Sequence, residues 1–441
     1  MLVAVIALQW SWLLVVDVGR VSSSAILGYA ILAFGYLVIV GLTAFIASLA
    51  SKWLKPSLAK PSWQNVLKLL IVWAAVELVI AWAVSVVWMG RNGNWDNIAP
   101  FYSLTPIIMM TPLKFLARFF GFFGTSAVIG SGLVLLFRKN YQRYAAVYWG
   151  SVLVLSFVSW GVYKTPSGMD TTVTIVSEKL GETGPIETGN STFALLPEYG
   201  LDDYTNENIT TRIKGEKDVF FSGTKQQGGF GATRNVLVYG SSQKGFMVEQ
   251  DKSRLIIAGE YLPFMVEALL RASRSPVYED FMIRRSVVPG NQSLKPFEVT
   301  DGLILGNAAC SSIINTEDYR KLTRDGASVL ANSASLEVFR GSRLFGLYHD
   351  GFAKFMATAN ARPFLQSANN WKAFALDHNG NTLASVSPTG TKDLTIQTND
   401  RKTPYTYLGE WVALVGGLYI ARELTVSLYK KLVRNRSKAI S

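Results

Sequence analysis

The sequence predicts an α-helical transmembrane bundle joined to an α/β domain, and three observations carry that expectation. Long apolar runs are concentrated in residues 1–165, whereas residues 166–403 carry the charge and the Gly/Asn/Ser punctuation of a water-exposed domain. Only 17% of the 441 residues are charged, against about 25% in an ordinary soluble domain. Lysine and arginine, finally, gather in short clusters beside the apolar runs.

A bilayer-crossing helix needs about 20 largely apolar residues. Spans are expected at Val3–Val16, Ala25–Leu49, Leu67–Met89, Phe119–Phe137 and Ala145–Val162, with a sixth at Tyr407–Leu424. The chain thus divides into a membrane domain (1–165, about five helices), a catalytic-type domain (166–403), and a last span with a basic tail (404–441). The aromatic, proline-containing stretch Asn92–Ala117 is expected to be re-entrant or interfacial rather than another span.

Charge placement orients the whole. Lys52, Lys55 and Lys60; Arg138, Lys139 and Arg143; and the tail cations Lys430, Lys431, Arg434, Arg436 and Lys438 fall on one side if the spans alternate. Positive residues mark the cytoplasmic side, so residues 166–403 are expected on the outer face of the cell (inner) membrane. The net charge of +12 is then a topology signal. No basic stripe interleaved with aromatics is present, and no nucleic-acid partner is expected.

The same inventory narrows the chemistry. A single cysteine, Cys310, excludes an internal disulfide and a multi-cysteine metal site. Two histidines, His349 and His378, exclude a His-rich metal centre. No metal or other cofactor is expected, so any reaction must run on carboxylates, lysine and that cysteine.

Within the outer domain, β-type runs at Thr171–Val176, Phe193–Leu196, Asp218–Ser222, Asn235–Tyr239, Leu255–Ala258, Leu303–Asn307, Ser328–Ala331, Ala373–Asp377 and Leu383–Val386 alternate with helical patterns at Thr316–Asp325 and Leu347–Ala361. Alternation of this kind predicts an α/β sandwich. Three segments carry candidate chemistry. The run Phe193-Ala-Leu-Leu-Pro-Glu198 ends in a carboxylate. Lys252-Ser-Arg-Leu-Ile-Ile-Ala-Gly-Glu260-Tyr-Leu-Pro263 reads as a lysine entering a strand that ends in a second carboxylate. Leu303-Ile-Leu-Gly-Asn-Ala-Ala-Cys310 is a strand delivering a cysteine. Strand ends suit catalytic groups, because a rigid sheet fixes them at an open edge. Taken singly, each has an ordinary reading: a small buried hydrophobe for Cys310, a turn carboxylate for Glu198, a surface charge for Lys252.

Taken in order, the three segments resemble the Glu-Lys-Cys pattern of the carbon–nitrogen hydrolase (nitrilase) superfamily. The phrase Lys-x-x-Leu-Ile-x-x-Gly-Glu-Tyr-x-Pro and the flanking spans resemble the apolipoprotein N-acyltransferase family in particular. Gly326-Ala-Ser-Val-Leu-Ala-Asn332, Tyr348-His349, Arg362-Pro363 and Asn369-Asn370 resemble further segments of that family, and Pro112-Leu-Lys-Phe-Leu-Ala a membrane loop. The chain departs from the pattern where Ser311-Ser312 stand in place of Tyr-Glu, and at Ser335–Arg340, Met356 and Ala359.

The resemblance implies an extracytoplasmic αββα sandwich. It implies Cys310 as nucleophile, Glu198 as general base and acid, Lys252 as oxyanion stabiliser, and Glu260 as an accessory carboxylate. It also implies a phospholipid acyl donor, a lipoprotein or other lipid-proximal amine as acceptor, and a monomeric membrane enzyme. Two other readings stay open: a membrane-tethered amidase whose thioester goes to water, and a non-catalytic lipid- or lipoprotein-binding relic. A hydrophobic lid would favour acyl transfer and an open polar cleft the amidase. Phe264–Ala272 and Val338–Tyr348 are the candidate lid segments.

Overall fold

The computed structural model describes residues 25–55, 57–89, 103–181, 184–201, 205–228, 233–252, 254–255, 260, 262, 264–284, 287, 294–339 and 341–440, with isolated residues before 25. The expected span Val3–Val16 and the first part of Asn92–Ala117 lie mostly outside them.

Among the described residues, five helices are long and apolar enough to cross a membrane: Leu32–Lys52, Trp63–Ser85, Pro112–Leu136, Lys139–Val162 and Trp411–Val433. The third begins earlier than its hydropathy suggested and is broken at Gly121, whose φ of 70° and ψ of −162° lie outside helical space. A break frees backbone N–H groups that have no intrahelical partner. Glu410 takes them up, accepting from the amides of Phe122 (2.8 Å) and Phe123 (3.0 Å). The last helix runs Trp411–Ile440, separated from the short turn Pro404–Leu408 by Gly409.

The strands are β1 (Asp170–Glu178), β2 (Ile186–Glu187), β3 (Phe193–Glu198), β4 (Ile213–Lys214), β5 (Phe220–Gln227), β6 (Arg234–Ser241) and β7 (Gly245–Asp251). They continue as β8 (Phe297–Thr300), β9 (Leu303–Ala309), β10 (Val329–Ser335), β11 (Phe364–Asn369), β12 (Ala373–Leu376), β13 (Thr382–Val386) and β14 (Gly390–Gln397). All but the small β2–β4 pair join one path, β7-β6-β5-β3-β1-β11-β10-β9-β8, with β12 and β13 beyond β11 and β14 beside β1. The link between β1 and β11 is only two pairs long, Ser177–Ala368 and Glu178–Asn369. The sheet folds over there into two facing leaves. Ser367 Oγ donates across to the carbonyl of Leu195 (2.7 Å), and Asn307 Nδ2 to Ser222 Oγ (2.8 Å).

Helices close both outer faces. Asn206–Arg212 covers one leaf, with Ile209 buried beside Ala194, Leu196, Phe221 and Val238. Thr316–Arg324 and Arg343–Asn360 cover the other. This is the αββα arrangement, a nitrilase-like α/β domain built onto a helical membrane bundle. Strands β1, β3, β6, β9 and β10 are buried on both faces over most of their length, between a helix layer and the facing leaf, which is why their runs are apolar or β-branched with little alternation.

The two parts interlock. Phe122, just past the helix break, stacks on Phe352 (5.2 Å between centroids) and meets Phe355 edge-on (5.0 Å). Arg118, fully buried, donates to the carbonyls of Thr358, Ser159 and His378 and to Asn379 Oδ1, at 2.8–3.1 Å. Gly351 allows the helix Arg343–Asn360 to sit directly on Pro106. A Cβ there would lie 2.5 Å from the Pro106 carbonyl oxygen and 2.6 Å from its Cβ. Gly351→Ala is therefore expected to destabilise the detergent-solubilised chain by about 1–3 kcal/mol, the usual penalty for overpacking. A melting temperature equal to wild type would show that this contact is not made.

Candidate active site

The parallel sets β1-β3-β5 and β9-β10-β11 bring their C-terminal ends to one edge of the sandwich. Strand β7 is antiparallel to β6, and β6 to β5, so β7 also ends at that edge. Glu198 closes β3, Cys310 follows β9, and Lys252 follows β7. The structure therefore brings all four sequence-predicted residues together. One expectation is corrected: Lys252 leaves a strand instead of entering one. Leu255 lies outside any strand, and Ile256, Ile257 and Ala258 fall outside the described residues, as do Gly259 and Tyr261.

Lys252 is the hub. Its Nζ lies 3.1 Å from Glu198 Oε1 and 2.8 Å from Glu260 Oε1, and all three side chains are buried (Lys252 is 1% exposed). The Cys310 thiol is within hydrogen-bonding reach of Glu198 and points toward the Ser335 carbonyl (3.6 Å). Burial of an ammonium in low dielectric disfavours its charge, but two carboxylates in contact reverse that. The Lys252 pKa accordingly sits well above its usual value: burial pulls it down, and Glu198 and Glu260 more than offset that. Glu198 is raised, first by burial and then by Glu260, against the opposing pull of Lys252. Burial, then the Glu198 charge, pushes the Cys310 thiol well up.

The supporting residues were mostly missed in the sequence. Asn235 Nδ2 donates to both Glu260 Oε1 and the Tyr199 hydroxyl. Asn369 Nδ2 donates to the Glu198 carbonyl. Asn332 Nδ2 bonds the carbonyls of Ala308 (3.0 Å) and Cys310 (3.2 Å), fixing the turn that carries the thiol. Asn332 and Asn369 stood within the matched segments, whereas nothing marked Asn235 beyond being a polar residue inside an apolar run. The backbone is unusual here as well. Tyr199 (φ 58°), Cys310 (φ 43°) and Asn370 (φ 53°) all occupy the left-handed region without being glycine. Such conformations cost about 1–3 kcal/mol each and cluster at functional sites.

An aromatic wall borders the cluster beyond Ser335 and Asn369. Phe339 and Phe345 stack 3.5 Å apart, and Trp371 and His349 pack against Phe345. Both ring nitrogens of His349 are buried without a hydrogen-bond partner among the described residues. Burial, helped by Lys372, holds its pKa at about 3. Between about pH 6.5 and that value the unfolded chain binds a proton that the folded chain refuses, so stability must fall as pH falls. The melting temperature should drop between pH 7 and pH 5, and His349→Phe should make the drop visibly shallower. Parallel pH curves for the two proteins would exclude this role. Of the candidate lids, Phe264–Ala272 forms a helix with Leu270 buried and Leu269 exposed, and Val338–Tyr348 contributes Phe339 and Phe345 to the aromatic wall.

At the strand ends of the αββα sandwich, a buried lysine bridges two carboxylates beside the chain's single cysteine. In sequence the chain is similar to the apolipoprotein N-acyltransferase of Haemophilus influenzae, 22% identical over 384 residues, covering 77% of this chain and 70% of that one. Solved structures similar to it include an amidase from Nesterenkonia sp. (TM-score 0.36, 11% identity, 54% of this chain and 93% of that one). A carbon–nitrogen hydrolase from Helicobacter pylori G27 is another (TM-score 0.36, 12% identity, 52% and 90%). No protein-family model matches the chain.

Proposed function

We propose that this protein is a membrane-bound N-acyltransferase that moves a fatty acyl group from a phospholipid, through a thioester on Cys310, to the terminal amine of a lipoprotein. The observation that carries the proposal is the buried Glu198–Lys252–Glu260 cluster with the Cys310 thiol against Glu198. In the first half-reaction Glu198 takes the thiol proton as Sγ attacks the ester carbonyl. Lys252 holds the developing oxyanion. Collapse breaks the ester C–O bond, Glu198 returns the proton to the leaving alkoxide, and a lysophospholipid departs. In the second, an amine attacks the thioester, Glu198 accepts its proton, and the amide forms as the thiol is restored. Raising the Glu198 pKa makes it a better base for this proton transfer. Glu260 and Asn235 position Lys252.

Supporting the acyl donor are the aromatic wall of Phe339, Phe345 and Trp371, close in sequence to Ser335 and Asn369, and the apolar helices on which the domain rests. The test is intact mass after incubation with phospholipid vesicles, wild type beside Cys310→Ala. A fatty-acyl increment on wild type alone, released by neutral hydroxylamine, is expected. No increment on a folded protein would overturn the transferase reading and leave the amidase, whose thioester is lost to water.

A further inference from the structure

A second feature of the membrane bundle has no part in this chemistry. The helix Gln142–Val162 and the segment around Pro112–Leu116 enclose a groove of about 600 Å³, lined by Leu113, Phe115, Leu153, Phe157 and Trp160 among others. Its lining carries two polar side-chain groups, the hydroxyl of Ser156, satisfied by the Pro112 carbonyl (2.9 Å), and the indole N–H of Trp160. The lining is otherwise apolar, and its walls stand open: Leu153 is 59% and Phe157 68% exposed. From Leu153 to Trp160 it runs about 10 Å along the helix, most of the roughly 15 Å that one leaflet of hydrocarbon provides.

One end of the groove is ringed with cations. Lys164 Nζ lies 5.2 Å over the Trp160 ring and Lys114 Nζ 5.3 Å over Phe115. The Arg118 guanidinium lies 4.9 Å from the Tyr163 ring centre, and Arg401 donates to the Val162 carbonyl (3.1 Å). None of these four makes an ion pair among the described residues. The hydrogen-bond partners of Lys114 and Arg118 are neutral carbonyls and amides, and Asp377, the acid nearest them, already accepts from Asn379 and Asn381. Asp400, the other acid at this rim, bonds Ser167. This collar sits at the end of Gln142–Val162 opposite Arg138, Lys139 and Arg143. Positive-residue bias orients a helix by one end only, so the second cluster has a different cause.

We propose that the groove binds one acyl chain of an anionic phospholipid in the leaflet adjoining the α/β domain, with the phosphate held at Lys164 under the field of Lys114, Arg118 and Arg401. The site lies at the Phe364 and Leu376 end of the paired strands β11 and β12, whereas Asn369, at the other end of β11, adjoins Glu198. It is a bound-lipid site separate from the acyl donor site.

The test uses the full chain carrying Cys310→Ala, so that turnover cannot consume lipid and the result is independent of the reaction proposed above. The protein is purified from micelles containing equal phosphatidylglycerol and phosphatidylcholine, and retained lipid is measured by mass. Phosphatidylglycerol should be retained over phosphatidylcholine. Lys164→Ala should reduce that preference about fivefold, the worth of one cation near a lipid surface, and Leu153→Trp should fill the groove and reduce retention of both. Val154→Trp reads the same surface if Leu153→Trp does not fold. Equal retention of the two lipids, or Lys164→Ala and the tryptophan variants retaining lipid as the parent does, overturns the proposal.

Discussion

Lys252→Met is expected to remove activity and to cost about 3–5 kcal/mol of stability, because it leaves two buried carboxylates without their shared counter-ion. The loss is a property of the unpaired charges. Neutralising them as well, in Lys252→Met/Glu198→Gln/Glu260→Gln, should recover much of the stability and none of the activity. Denaturant unfolding in detergent reads the first quantity, and the acyl-adduct mass assay the second. A single variant as stable as wild type would mean that water reaches the cluster, contrary to the 1% exposure of Lys252. Linkage gives a further check. A lysine whose folded pKa lies above its unfolded value stabilises fully below the unfolded pKa, and that contribution fades as pH rises through the folded one. The Lys252 contribution should therefore be intact at neutral pH and be lost only in strong alkali.

Glu198→Gln should slow formation of the thioester by about 10²–10⁴-fold, the ordinary contribution of a positioned general base. The same change removes a negative charge that holds the Cys310 thiol pKa up. Alkylation of Cys310 by a small reagent should then begin at lower pH in the variant than in wild type, even as acyl transfer collapses. Opposite movement of the two readouts distinguishes a proton carrier from a residue that merely packs beside the thiol. If alkylation and acylation both slowed together, Glu198 would be structural.

The bundle-plus-sandwich architecture was legible because its signals are local. Apolar runs such as Leu67–Met89 can only be spans or deep core, and β-runs such as Leu303–Asn307 are short, apolar and bounded by glycine and serine. The candidate residues Glu198, Lys252 and Cys310 stood out by order and spacing, and the structure brings them together. What the sequence hid is what depends on contacts far along the chain. Strands β2, β4, β7, β8, β11 and β14 were not foreseen; β14 is polar and exposed, and β7 carries only the short, half-exposed apolar stretch Phe246-Met247-Val248 before polar residues. The direction in which Lys252 leaves β7 follows from hairpin registers that no local pattern states. The polar supports, Asn235 above all, matter only through partners 25 and 36 residues away. The span at Pro112–Leu136 began earlier than its hydropathy predicts because Lys114 and Arg118 interrupt the apolar pattern, and both are hydrogen-bonded in the structure by neutral oxygens far along the chain.

Arg118 also sets a timetable. Its first partner, the Ser159 carbonyl, follows 41 residues later, but Thr358, His378 and Asn379 are 240 to 261 residues downstream. At about 5–20 residues per second of synthesis, the guanidinium waits on the order of 10–50 s with most of its acceptors not yet made. An arginine costs about 2.5–3.5 kcal/mol at the centre of a membrane helix and less near its end; Arg118 stands near the end of the third span, so during that interval the span is held less firmly than in the finished fold. The nascent bundle gains this set of contacts only once the α/β domain is made, which ties the completion of the membrane anchor to the folding of the domain it carries.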